Sequence, residues 1–293
     1  MTDDLAERSS AEILQAHIRY HRSGLGRPVV LLHPLRMQLE YFDPLRNELE
    51  DADLELISVD LPGHGHSSAP SVAYNACYFT DSVEALLDNL DLHDTTIVGE
   101  SIGGSIALGL AGRQCHRVVS VVALNPYDYG EWGGIRRSST TGNIVFTTML
   151  LPIVGPVVAR AGTRTVLRRV LEGGLYNPDR LSPELVDRLH ESGSRPGHAR
   201  ALHSLTRNWN SWIAARRHYE SIQVPVTLVY GDNDWSNQDE RDSNCRAIST
   251  ARTASIERCG HFSSLDKPAC VATLIRLALG LPSRNRPADD GDE

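Results

Sequence analysis

The chain has 293 residues, a formal charge of −8 and 41% hydrophobic side chains, enough to bury one large α/β domain or one domain carrying a substantial insertion. The acidic balance disfavours nucleic acid as a partner, and no run approaches the ~20 apolar residues of a membrane span. Cys77, Cys115, Cys245, Cys259 and Cys270 lack metal-ligand spacing, and the N-terminus is too acidic and polar for a secretory signal, so the expectation is reduced thiols in the cytoplasm.

Residues 11–22 alternate polar and apolar side chains, which predicts an edge hairpin with its turn at 23–27. Residues 28–33 are almost wholly apolar, the mark of a strand buried on both faces of a parallel sheet. Helical spacing follows over 39–50, then a second strand over 54–60 that runs into a turn of breakers ending at Ser67. A long helix is predicted over 73–90, a third strand over 95–99, a helix over 102–112 and a fourth strand over 118–124. The chain then turns helical and arginine-rich: residues 128–220 hold 13 arginines and no lysine against 8 acids, a net of +5. Within that stretch Ser182 reads as an N-cap with Pro183 at the first helical position. Alternation resumes with a strand at 224–231, a helix at 238–248, a strand at 254–258 and a closing helix at 268–279. The expected class is α/β, a doubly wound and mostly parallel sheet. Its core would span 1–127 and 218–281, with an inserted helical cap at 128–217 and a disordered acidic tail at 282–293.

Ligands of such sheets sit at the carboxyl ends of the strands, and three suggestive residues fall there. Gly99-Glu100-Ser101-Ile102-Gly103 lies between a strand and a helix. Small residues two before and two after a serine permit a sharp turn that lifts its hydroxyl above the sheet. The Ile102 N–H would then stand at a helix N-terminus, able to donate to a developing oxyanion. Asp234 follows the 224–230 strand, with Asp232 as the competing acid, and His261 lies in a loop after the last strand. The order Ser101, Asp234, His261 matches one particular arrangement of the serine-hydrolase triad.

These stretches carry a resemblance to the α/β-hydrolase fold superfamily, from about residue 11 to 281. Leu31-Leu32-His33-Pro34-Leu35 is similar to its His-Gly oxyanion loop, and Asp60 to Ser67 to its Asp-x-x-Gly-x-Gly-x-Ser turn. Gly99 to Gly103 resembles its nucleophile elbow, Gly231 to Asp234 its acid turn, and Gly260-His261-Phe262 its histidine loop. The resemblance implies that Ser101 is the nucleophile, His261 the base and Asp234 its partner. The N–H groups of Leu35 and Ile102 would form the oxyanion hole. Pro34 replaces the usual glycine; it removes one N–H but not that of Leu35. His33, His64 and His66 are rival bases, though turn scaffolding is their ordinary use. A serine nucleophile argues against epoxide hydrolase and haloalkane dehalogenase activity.

In the cap, residues 142–158 are apolar enough to line an acyl pocket, with Trp132, Phe146 and Met149 as candidates to face the substrate. Arg164 and Arg168 share a helix face and, with Arg136, Arg137 and Arg169, would make a basic rim for an anionic handle or an acidic carrier protein. The expected activity is hydrolysis of a small to medium ester or thioester through an acyl-Ser101 intermediate. The alternatives are transfer of that acyl group to an acceptor other than water, and ligand reception on the same fold. No metal or organic cofactor is implied.

Overall fold

The computed structural model describes residues 7–129 and 133–282. One sheet is built from β1 (Glu7–Ile13), β2 (Ala16–Ser23), β3 (Arg27–Leu32), β4 (Leu54–Val59), β5 (Thr95–Glu100), β6 (Val118–Leu124), β7 (Val226–Gly231) and β8 (Ala251–Ile256). Its spatial order is β1-β2-β4-β3-β5-β6-β7-β8. The first hairpin and the β2–β4 pairing are antiparallel, and all other pairings are parallel.

Successive side chains of a strand point to opposite faces, and β3 divides its apolar residues accordingly. Val30 and Leu32 join Ile97, Ile106 and Phe79 in one core, while Val29 and Leu31 join Val98, Val122 and Phe42 in the other. Helices cover both faces, as parallel strands require. They are α1 (Asp43–Leu49), α2 (Ala76–Asn89) and α3 (Ile102–Gly112), followed by an insertion between β6 and β7 whose described elements are all helical. The insertion comprises α4 (Gly133–Ser138), α5 (Thr140–Met149), α6 (Gly155–Arg160), α7 (Arg164–Glu172), α8 (Pro183–Gly193), α9 (His198–Arg207) and α10 (Asn210–Ala215). Then come α11 (Gln238–Ala247), α12 (Ser263–Asp266) and α13 (Pro268–Ala278). Ser139, Thr163 and Ser182 cap α5, α7 and α8 by accepting backbone N–H groups. Among the described residues no helix is long and apolar enough to cross a membrane.

Some boundaries differ from the sequence expectation. The hairpin turns at Leu14 and Gln15, at φ 43° and 71°, and not at 23–27, which connects β2 to β3 instead. Two successive positive φ values suit a two-residue hairpin loop, but the usual Asn-Gly signal is missing. The helix expected from residue 39 begins as a 3-10 turn over Leu39–Phe42, and α1 starts at Asp43. The helix expected from 73 starts at Ala76, because the Asn75 side chain accepts the Tyr78 N–H and caps it there. The last strand lies at Ala251–Ile256, earlier than 254–258.

Candidate active site

A single residue, Ser101, separates β5 from α3 and makes the whole turn at φ 58° and ψ −120°, a conformation disfavoured for any residue with a side chain. The residues two before and two after it must be glycines. A Cβ on Gly99 would lie 2.1 Å from the Gly103 carbonyl oxygen, and one on Gly103 the same distance from that of Leu32.

The fold brings the three strand-end residues together. Ser101 Oγ lies 2.8 Å from His261 Nε2, and His261 Nδ1 lies 2.5 Å from Asp234 Oδ1. The side chains of His261 and Asp234 are fully buried. Burial opposes ionisation of Asp234, but the hydrogen bond from His261, with the Ser236 hydroxyl and N–H donating to Oδ2, holds its carboxyl below the usual range. An ionised carboxylate only accepts, so Nδ1–H donates to Asp234 and Nε2 faces the Ser101 hydroxyl as an acceptor. Trp235 stacks on the imidazole with ring centroids 3.8 Å apart, and Tyr127 meets it edge-on at 5.8 Å. Asp232, the competing acid, accepts the N–H groups of Arg258 and Cys259 instead and fixes the turn before the histidine loop.

Two supporting residues escaped the sequence reading. Asn125, just past β6 at φ 43°, donates to the carbonyls of Gly260 and His261 and to Ser263 Oγ, and accepts the Gly231 N–H at 2.9 Å. It thus clamps the acid turn to the histidine loop. Glu100, beside Ser101, is buried and accepts the Ser264 hydroxyl at 2.6 Å. Burial pushes its carboxyl up to about 8. The sequence hint was their position at strand ends; their partners are more than 100 residues away.

The N–H groups of Leu35 and Ile102 donate no hydrogen bond to a described residue. Leu35 lines the same cavity as Ser101 and His261, and Ile102 opens α3. His33 is fully buried; its Nε2 accepts the Leu61 N–H at 3.0 Å and its Nδ1 lies 2.8 Å from the Pro34 carbonyl oxygen. It therefore joins the oxyanion-loop candidate to the Asp60 turn. His64 packs beside it at 5.2 Å between rings, and burial lowers the pKa of both.

The cavity above Ser101 is walled mainly by apolar cap residues, Phe146 and Met149 among them. Trp132 lies outside the described residues. Arg164 and Arg168 do not reach the cavity; Arg164 pairs with Asp187 and Arg168 with Glu172. Arg137 pairs with Glu240, and Arg136 donates to Asn143. The loop after α7 is tied to the site: Trp235 Nε1 donates to the Gly173 carbonyl and the Phe262 N–H to that of Gly174. Asp266 accepts the N–H groups of Tyr176, Asn177 and Gly260 together.

A family model described as alpha/beta hydrolase fold matches residues 27–268. The 2-hydroxymuconate semialdehyde hydrolase of Pseudomonas sp. (strain CF600) is 23% identical over 275 residues, covering 90% of this chain and 91% of its own. The solved meta-cleavage product hydrolase CumD of Pseudomonas fluorescens IP01 superposes with a TM-score of 0.77 at 18% identity, over 93% of this chain and 97% of that one. The epoxide hydrolase CorEH gives 0.82 at 21%, over 94% and 98%.

Proposed function

Because the chain belongs to the alpha/beta hydrolase fold family, we propose that it is a serine hydrolase cleaving a small to medium ester or thioester through an acyl-Ser101 intermediate. The observation that carries this reading is the unbroken series of hydrogen bonds from Ser101 to His261 to Asp234 on the floor of an apolar cavity.

In this reading Ser101 Oγ attacks the substrate carbonyl carbon as His261 Nε2 takes its proton. The carbonyl electron pair moves to oxygen, where the Leu35 and Ile102 N–H groups receive it; one such donor is worth ~10²–10³ in rate. Asp234 stabilises the imidazolium. Collapse of the tetrahedral species expels the alcohol or thiol, which leaves with the proton from Nε2. Water then repeats the sequence on the acyl-enzyme and frees the acid and the serine. Asp234 fits the orienting role and Asp232 does not, since the latter is held by backbone N–H groups.

Of the five cap arginines that would dock an acidic carrier protein, Arg136, Arg137, Arg164 and Arg168 are paired with acids or bonded to Asn143, which favours a free small-molecule substrate. A second reading, hydrolysis of a carbon–carbon bond by the same serine, is favoured by the 2-hydroxymuconate semialdehyde hydrolase among the relatives that match at nearly full length.

Intact-mass spectrometry of wild type and Ser101→Ala, after a fluorophosphonate and separately after a panel of acyl thioesters, tests the reading. One adduct on wild type and none on the variant is the expected result. No adduct on either refutes an activated serine and moves ligand reception to the front.

A further inference from the structure

Among the described residues that wall the cavity, Arg36 alone carries a fixed charge. It follows Leu35 in a turn closed by the Met37 N–H donating to the Pro34 carbonyl at 3.1 Å. Arg36 occupies the third place of that turn at φ 67°, where glycine is the ordinary choice. Its guanidinium rests against α8: a Cβ on Gly193 would come within 2.7 Å of both terminal nitrogens. No hydrogen bond or ion pair joins it to a described residue, and it is half-buried at the cavity wall. Burial lowers its pKa without help from any neighbouring charge. The titratable side chains that feel its charge are His64 and His198, and burial lowers the pKa of each, keeping both neutral.

An arginine keeps its proton even in such a setting, and holding a cation without a counter-ion against an apolar wall is costly. A left-handed backbone at a residue with a side chain adds to that cost. No described carboxylate pairs with it, so a counter-ion would be external and would enter through the cavity that it lines. We propose that Arg36 binds a carboxylate of the substrate, so that Ser101 acts on a carboxylate-bearing ester or thioester.

The chemistry selects a carboxylate over a phosphate. The guanidinium fork matches two carboxylate oxygens, and one positive charge balances one negative charge. A phosphate dianion would leave a second charge against the apolar wall. Leu35 and Arg36 are consecutive and line the same cavity as Ser101, so the oxyanion donor and the anion site serve one substrate. The choice of ester or thioester rests on the serine-hydrolase reading; the carboxylate site does not.

Calorimetry with Ser101→Ala, which cannot turn substrate over, separates the two. The probes are the mono-p-nitrophenyl esters of succinate, glutarate and adipate against p-nitrophenyl butyrate, pentanoate and hexanoate, with 4-carboxyphenyl butyrate against phenyl butyrate for an acid on the leaving side. At least one acid ester should bind well above its neutral counterpart. Adding Arg36→Met should then reduce that ratio by roughly 30-fold or more, and Arg36→Lys should restore part of it. Equal binding of acid and neutral esters by Ser101→Ala overturns the proposal, as does a loss on Arg36→Met that is the same for both. Acid-selective binding with no fluorophosphonate adduct on wild type would instead uphold the carboxylate site and refute the acyl-serine chemistry.

Discussion

Replacing Glu100 by glutamine should change how the stability of the fold depends on pH. The carboxyl is pushed from its ordinary value of 4.5 to about 8 by burial, against the opposing hydrogen bonds from the Ser264 hydroxyl and N–H. Between those two values the unfolded chain has released its proton while the folded chain retains it, so stability falls as pH rises. One proton changes stability by ~1.4 kcal/mol per pH unit. Over the whole window the loss is on the order of 5 kcal/mol, a large share of the roughly 5–15 kcal/mol that holds a typical fold. Glutamine keeps the shape and the acceptor oxygen and never ionises. Urea unfolding at pH 5, 6, 7 and 8 should show Glu100→Gln gaining on wild type at each step, by several kcal/mol in total, with m-values unchanged. A difference that stays constant across the series would refute a buried neutral acid beside the serine. The neutral state also bears on the chemistry, because a carboxylate there would oppose the negative charge that develops at the oxyanion.

Asp234→Asn should lower kcat/KM by ~10³–10⁴, since the amide cannot hold the same imidazole tautomer. Asp232→Asn should cost far less activity and lower the melting temperature, because it weakens only the turn; steady-state kinetics beside a thermal melt separates the two, and a reversed ranking would move the acid two residues back. Asn125→Ala removes four hydrogen bonds that join the acid turn to the histidine loop. It should cost ~2–4 kcal/mol in denaturant unfolding and at least ~10-fold in kcat. An unaffected kcat would show that the two loops hold their positions without it.

The geometry of the candidate site was legible in part because some of its sequence signals are local. Gly99 is imposed by a contact within the turn itself, Gly103 stands at the fixed spacing after it although the Leu32 carbonyl of β3 imposes it, and α3 begins and ends where the apolar run from Ile102 to Gly112 predicts. Ser182 and Pro183 mark the start of α8 for the same reason. The support around the triad was not legible, because it is made by contacts between distant strand ends. Neither Asn125 nor Glu100 differs in type from residues that merely end strands; only the sheet order brings their partners within reach. Arginines spaced for one helix face read as a basic rim, yet Asp187, on the next helix, meets Arg164. The hairpin turn was hidden for a different reason, since Leu14 and Gln15 are not residues that usually adopt positive φ.

The tie between the loop after α7 and the histidine loop divides the cap into two flanks. Gly173, Gly174, Tyr176 and Asn177 are held by backbone hydrogen bonds or by Trp235 and Asp266, so any sequence change that moves them also moves His261. The α5–α6 side carries Val145, Phe146 and Met149 into the same cavity and lacks that anchor. Ile144, Ile153 and Val157 on its outer surface are exposed. Substrate range can therefore drift through replacements on one flank while the other stays under the same selection as the triad. A cap exchanged between relatives should work when the junction falls before α7, and should inactivate the enzyme when it falls within the loop that follows it.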